Sequence, residues 1–248
     1  MKISIITVVY NNERTIEEAM KSVLEQTYKN IEYVIIDGKS KDNTVNIING
    51  FKDKLGYFIS EKDSGLYHAM NKGILASKGE IIGILNSDDL YQDLDVISDV
   101  MKQFNNDPEL DILYGDLIYV KPDNINRVVR NWISKKYYDR FFENANVPPH
   151  PTLFVRRKVY QQEGLFNLQF RLAADYEFML RIFKKHNFKC KYYNRLIVKM
   201  RLGGATNASF TNIIKQNKEI LKAWKLNNLK APIFLMPLRM IKRLNQFI

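Results

Sequence analysis

Within the first 85 residues, strand-like apolar runs alternate with stretches of helical period, and nothing else in the sequence restricts the fold as much. Ile3–Val9 is almost continuously β-branched, as a strand buried on both faces should be. Thr15-x-x-Glu18 reads as a capping box opening a helix whose apolar side is Ile16, Met20, Val23 and Leu24. Residues 31–36 form a second buried run that ends at Asp37-Gly38. Asp42 or Asn43 can cap a short helix reaching Phe51. Residues 55–59 predict a third strand, and 67–76 a helix that stops before Gly79. Residues 81–85 predict a fourth strand running straight into Asn86-Ser87-Asp88-Asp89, with a further helix over 94–104.

Strand and helix in this order imply parallel strands joined by right-handed crossovers. In such sheets the ligand sits beyond the carboxyl ends of the strands. Three polar clusters fall at those ends: Tyr10-Asn11-Asn12, Asp37-Gly38, and Asn86 to Asp89.

The second half is less regular. Residues 112–120 and 127–132 predict a hairpin around Lys121-Pro122-Asp123-Asn124. Residues 146–151 hold three prolines around His150 and predict a loop. A short strand over 152–155 and a helix over 175–185 follow. The single cysteine, Cys190, excludes an intrachain disulfide and reads as a packing residue. His68 and His186 read as surface or packing residues.

An apolar content of 46% excludes a disordered chain. The apolar run from Ile3 to Tyr10 is too short for an export signal, and the late run 233–238 falls far short of the roughly 18 residues a spanning helix needs. The expectation is therefore a cytoplasmic protein, peripheral on the inner face of the membrane. The net charge of +11 is unevenly spread: residues 211–248 carry eight Lys or Arg and one Glu, which leaves +4 for the rest. Residues 1–210 are thus expected to form the catalytic domain and residues 211–248 a basic amphipathic tail. Ile213, Ile214, Ile220, Leu221, Trp224 and Leu229 interleave with lysines there, and Arg239, Lys242 and Arg243 follow. Such a segment fits an anionic membrane surface, and a helix packed on the domain is the plainer alternative. Pro232 and Pro237 are expected to break it. Charge concentrated in a tail, not on the body, speaks against a nucleic-acid-binding module.

Adjacent carboxylates after a buried strand repel unless a cation is near. Mg²⁺ or Mn²⁺ beside Asp88-Asp89 would meet that need and neutralise a departing diphosphate. A helix N-terminus with acidic residues is the alternative reading of the pair. No Gly-x-Gly-x-x-Gly follows the first strand, and no Gly-x-x-x-x-Gly-Lys-Ser/Thr is present, so a glycine loop does not hold the phosphates. A nucleotidyltransferase would want such a loop where Asn11-Asn12-Glu13 stands.

Several segments together resemble glycosyltransferase family 2. They are Ser4-Ile-Ile-Thr-Val-Val-Tyr-Asn-Asn-Glu, Ser22-Val-Leu-Glu-Gln-Thr-Tyr, Ile35-Ile-Asp-Gly, Ser60-Glu-Lys-Asp-x-Gly-Leu-Tyr-x-Ala-Met-Asn-Lys-Gly and Leu85-Asn-Ser-Asp-Asp. Downstream, His150-Pro-Thr-Leu-Phe, Phe170-Arg-Leu-Ala-Ala-Asp-Tyr-Glu and Arg201-Leu-Gly-Gly are similar to its bacterial O-antigen and capsule branch. The resemblance implies the α/β GT-A fold: a Rossmann-like, mostly parallel mixed sheet flanked by helices, here with a basic helical tail. It implies an inverting transfer of one sugar from a nucleotide-diphospho-sugar to a saccharide acceptor, expected to be lipid-linked. It further implies that Thr7 and Tyr10 flank the base, Asp37 accepts from a uracil ring, Lys72 lies near the donor, Asp88 takes the ribose hydroxyls and Asp89 the metal. Asp175 matches the catalytic base, and His150 and Arg201 fall on the acceptor side. Asn86 stands where many relatives have a third Asp, and Gly203 where many have a His, which implies modest metal affinity. The Gln-x-x-Arg-Trp signature of processive synthases is absent.

Overall fold

The structure is a computed structural model that describes residues 1–185, 188–203 and 210–244, with the side chains of 210, 243 and 244 not described. His186, Gly204 and the side chain of Arg243 therefore lie outside the described residues. The strands are β1 (Ile3–Val9), β2 (Ile31–Asp37), β3 (Tyr57–Ser60), β4 (Ile81–Ile84), β5 (Leu90–Tyr91), β6 (Leu110–Lys121), β7 (Asn124–Trp132), β8 (Phe154–Arg156) and β9 (Lys189–Arg201). The helices are α1 (Ile16–Leu24), α2 (Thr44–Asn49), α3 (Leu66–Ala76), α4 (Val96–Asn106), α5 (Arg157–Glu163), α6 (Ala174–Lys184), α7 (Phe210–Leu226) and α8 (Leu235–Leu244).

All the described strands join one sheet in the order β3-β2-β1-β4-β8-β6-β9-β5, with β7 on β6. The β3-β2-β1-β4 half is parallel, as the strand–helix alternation requires. β8 runs antiparallel between β4 and β6, and β9 lies parallel to β6.

Each inner strand divides its side chains between two cores. Ile3, Ile5 and Val9 face α1, α2 and α4, while Ile6 and Val8 face α3, α6 and α7. Gly73 of α3 lies hard against Ile6 of β1, so that a Cβ at this position would press into the Ile6 methyl. Gly73→Ala should therefore lose about 1–2 kcal/mol, overpacking outweighing the better helix propensity of alanine. A urea midpoint equal to that of the native chain would show that α3 can move away at no cost.

Several local expectations change. The capping box at Thr15 does not form: the hydroxyl donates to Asn12 Oδ1 (2.8 Å) and to the Ser87 carbonyl (3.1 Å), and Glu18 pairs with Arg201. Pro237 does not break α8, because it sits in the first turn where no amide donor is needed. Pro232 does fall between α7 and α8. Cys190 packs at the edge of the core, its thiol pushed up to about 11 by burial.

The segment expected as a tail joins the body. Ile220, Ala223 and Trp224 of α7 are buried in the same core as α6, and the Trp224 indole donates to Tyr176 Oη at 2.9 Å. The Glu219 carboxylate accepts from the amides of Arg171, Leu172 and Ala173 at 3.1, 2.8 and 2.9 Å. The residue before α6 is Ala173, which has no capping side chain, so α7 supplies the acceptor that the local sequence lacks.

Candidate active site

The carboxyl ends of β1 and β4, the β6–β7 hairpin, and α3, α6, α7 and α8 enclose a cleft of about 870 Å³. Asp88, His150 and Asp175 all line it. They come from three distant parts of the chain, and the sheet brings them together.

Asp88 and Asp89 sit on a tight turn closed by the Asp89 amide on the Asn86 carbonyl (3.1 Å). The two carboxylates take different positions. Asp89, the expected metal ligand, does not reach the cleft: it is fully buried, with Oδ2 accepting from Asn86 Nδ2 (2.8 Å) and Oδ1 from the Arg201 amide (3.2 Å). Asp88 is half-buried and lines the cleft. Burial raises its carboxyl above the ordinary range, with Arg201 working the other way. Burial, with the Asp88 charge beside it, holds Asp89 well above that range, and Asn86 and Arg201 oppose the shift. Burial thus disfavours both charged carboxylates, a cost that a cation on the cleft side of Asp88 would relieve.

Arg201 lies behind this turn and not on the cleft wall expected for it. It is buried, its Nη1 donates to the Asp88 carbonyl at 2.6 Å, and its Nη2 pairs with Glu18. It fixes the turn that presents Asp88.

Asp175 stands in the first turn of α6, where the helix dipole favours a carboxylate. Its Oδ1 accepts from Tyr67 Oη at 2.8 Å. Tyr67 is buried, and burial followed by the Asp175 charge holds its phenol well above the usual value, so it remains a donor. His150 borders the same space. Burial lowers its basicity while the Asp175 charge raises it, and its Nε2 is buried with no partner. A neutral imidazole with an unused nitrogen therefore faces the carboxylate's neighbourhood.

The residues expected around a donor base lie beside the cleft and do not line it. Thr7 is fully buried, donating to the Leu85 carbonyl (2.9 Å) and accepting from Tyr33 Oη (3.0 Å). Asp37 is fully buried at the end of β2 and accepts from the Ser40 amide, the Ser40 hydroxyl and the Ser60 hydroxyl, three of the roughly four bonds a carboxylate can take. Tyr10 is 59% exposed, and its ring lies against Gly38. Lys72 is held by Glu61 (2.5 Å) and Asp63 (2.7 Å). Asp63 also meets His68 Nδ1 at 3.0 Å and keeps a buried, unpartnered Oδ2.

Other cleft residues have no local sequence signal of their own. Tyr67 lies inside the Gly65-Leu-Tyr segment, where only the fold shows that it meets Asp175. Trp132 and Arg130 form a wall with Tyr119, the guanidinium 4.5 Å from the Tyr119 ring and 5.7 Å from the Trp132 ring. Lys135, Arg239 and Lys242 also line the cleft.

A family model described as Glycosyl transferase family 2 matches residues 4–164. An uncharacterised glycosyltransferase of Mycobacterium tuberculosis is 31% identical over 183 residues, covering 72% of this chain and 68% of its own. A PGL/p-HBAD biosynthesis glycosyltransferase of Mycobacterium bovis is 28% identical over 208 residues, covering 82% and 78%. Among solved structures, S. aureus TarS 1-349 in complex with UDP superposes with a TM-score of 0.71 at 18% identity, covering 99% of this chain and 71% of that one. The mannosyltransferase PcManGT from Pyrobaculum calidifontis, in complex with GDP-Man and Mn²⁺, gives 0.67 at 18% identity over 98% and 69%.

Proposed function

The chain belongs to glycosyl transferase family 2, a nucleotide-sugar glycosyltransferase with the GT-A fold, and on that premise we propose that it transfers one hexose or N-acetylhexosamine, with inversion, from a UDP-sugar to a hydroxyl of a lipid-linked saccharide in O-antigen or capsule synthesis. The observation that carries the proposal is the opening of Asp175, held by Tyr67, and Asp88 into one cleft.

The chemistry is a single displacement. The acceptor hydroxyl attacks the anomeric carbon, the bond from that carbon to the diphosphate oxygen breaks, and the hydroxyl proton passes to Asp175. The sugar ring carries positive charge in the transition state, as in glycoside hydrolysis. Tyr67 restricts the Asp175 carboxylate to one orientation, so that positioning and proton removal act together. His150 offers its free Nε2 to another hydroxyl of the acceptor. Thr7 and Asp37 order the wall on which the base rests beside Tyr10, and Asp37 keeps one acceptor position for a ring N–H. Lys72 holds the Glu61–Asp63 segment at the donor rim.

The cleft-lining carboxylate of Asp88 supports the reading that a divalent cation binds with the diphosphate. Among the described residues no three His, Cys, Asp or Glu side chains come together, so a cation held by Asp88 would need its remaining positions filled by diphosphate and water. Bound Mg²⁺ or Mn²⁺ would neutralise the charge on the leaving diphosphate. We assign its protein ligand to Asp88 and give Asp89 the task of ordering the turn.

Calorimetric titration of UDP tests donor and metal together. Mn²⁺ should tighten UDP binding, and Asp88→Ala should abolish most of that gain, on the order of tenfold to a hundredfold. Asp89→Ala should instead lower the melting temperature. Metal-dependent binding that survives in Asp88→Ala and is lost in a folded Asp89→Ala would return the metal to Asp89. Absence of UDP binding with and without Mn²⁺ would reject the donor.

No described helix is long and apolar enough to cross a membrane. We propose peripheral attachment on the inner face of the cell membrane through α8 and the turn before it. Ile233 and Phe234 are 92% and 76% exposed there, next to basic residues.

A further inference from the structure

Two lysines from separate parts of the chain line the same cleft. Lys135 follows β7, and Lys242 lies near the end of α8. The Lys242 ammonium is half-buried and donates to Asn146 Oδ1 at 2.5 Å. Neither lysine has an ion-pair partner among the described residues. Burial, and then the Lys135 charge, hold Lys242 below the ordinary lysine value.

Lys184 provides an internal comparison. It is equally sheltered, but Glu143 at 2.8 Å and Asp139 at 3.6 Å neutralise it, and its basicity is raised. Lys72 is matched in the same way by Glu61 and Asp63. Lys135 is exposed at the mouth of the cleft, and a half-buried ammonium such as Lys242 with a second cation near it and no carboxylate is unfavourable unless an anion joins them. Arg239, one turn before Lys242 on α8, lines the same cleft with its guanidinium 5.1 Å from the Tyr176 ring. The helix that carries these cations also displays exposed apolar residues. Ile233 and Phe234 precede it, and Met240 and Ile241 on it are 61% and 55% exposed. Cations turned into a cleft beside exposed apolar side chains match a ligand with an anionic head and an apolar chain.

We propose that Lys135, Lys242 and Arg239 form an anion subsite on the acceptor side of the cleft, which holds the phosphate or diphosphate linking the acceptor saccharide to its apolar chain. The proposal rests on the glycosyltransferase reading for its place in the reaction. The subsite sets the distance between the lipid phosphate and Asp175, and so selects which sugar of the acceptor presents its hydroxyl. The apolar chain leaves the cleft along Ile233 and Phe234.

The test is calorimetric titration of the full chain with inorganic pyrophosphate and with geranyl diphosphate. Chelator is present, so that no metal-bridged site competes. Both probes should bind, geranyl diphosphate the more tightly. The double variant Lys135→Ala/Lys242→Ala should weaken both by about tenfold or more, while Lys135→Arg/Lys242→Arg restores binding. UDP affinity in Mn²⁺ should be the same in all three proteins. Failure of both probes to bind, or unchanged binding in the alanine variant, overturns the subsite. A fall in UDP affinity in that variant also overturns it, because the lysines would then serve the donor. Equal affinity for the two probes removes the apolar path. If the variant loses only its binding to phosphatidylglycerol vesicles, the lysines are headgroup contacts and no subsite exists. Failure of UDP to bind the native chain would strike the glycosyltransferase reading alone, since the diphosphate titrations need no donor.

Discussion

Asp175→Asn is expected to lower sugar transfer by about 10²–10⁴-fold while leaving UDP affinity in Mn²⁺ unchanged. The substituted amide can still accept from Tyr67 Oη, so the start of α6 and the cleft wall keep their form. What disappears is the capacity to take the proton of the attacking hydroxyl. The loss should fall on kcat with little change in KM for the donor, because proton removal matters only in the transition state. Sugar transfer measured by UDP release with a saturating acceptor gives the answer. Turnover within about tenfold of the native enzyme would place the base elsewhere, and His150, with its unpartnered Nε2, would be the next residue to replace.

The second large effect concerns stability. Trp224→Ala should cost about 3–5 kcal/mol, the usual range for deleting a fully buried large aromatic side chain. The indole is 1% exposed and donates to Tyr176 Oη, so its removal leaves both a cavity and an orphaned hydroxyl. The midpoint of urea unfolding should fall in proportion. A loss below about 1 kcal/mol would mean that α7 is only loosely attached, as a surface tail would be. For the same reason deletion of residues 211–248 cannot isolate a membrane effect, because it removes part of the core. Ile233 and Phe234 are the better positions for that purpose, since their exposure means that little packing depends on them.

The parts of the fold legible in the sequence are those whose burial leaves a local mark. β1, β2 and β4 are covered on both faces, so their residues are apolar almost without interruption. β9 leaves no such mark. Its sequence Lys-Cys-Lys-Tyr-Tyr-Asn-Arg-Leu-Ile-Val-Lys-Met-Arg mixes charge and aromatic residues without a clean period, and its exposure varies along its length. Pairing with β6 on one side and β5 on the other defines it, and both partners are remote in sequence.

The candidate site divides in the same way. The ends of β1, β2 and β4 did gather the polar clusters where a parallel sheet puts them. Which carboxylate of Asp88-Asp89 faces outward depended on Arg201, 113 residues from Asp88. Sequence adjacency made the two look alike, and a distant guanidinium and amide made them different. Tyr67 met Asp175 across 108 residues, a relation no local pattern could contain. The basic residues of 211–248 were visible as a charge excess, but the placing of Arg239 and Lys242 on the cleft required α7 and α8 to fold back over the sheet.

Glu219 gives the protein an order of completion. During synthesis the sheet and α6 emerge before α7, so a growing chain can bury most of its core while the amides of Arg171, Leu172 and Ala173 still lack their acceptor. The amides before α6 gain this acceptor only when Glu219 arrives. If Asp175 is the base we propose, a nascent chain whose α7 has not docked would lack the contact that orders its helix start.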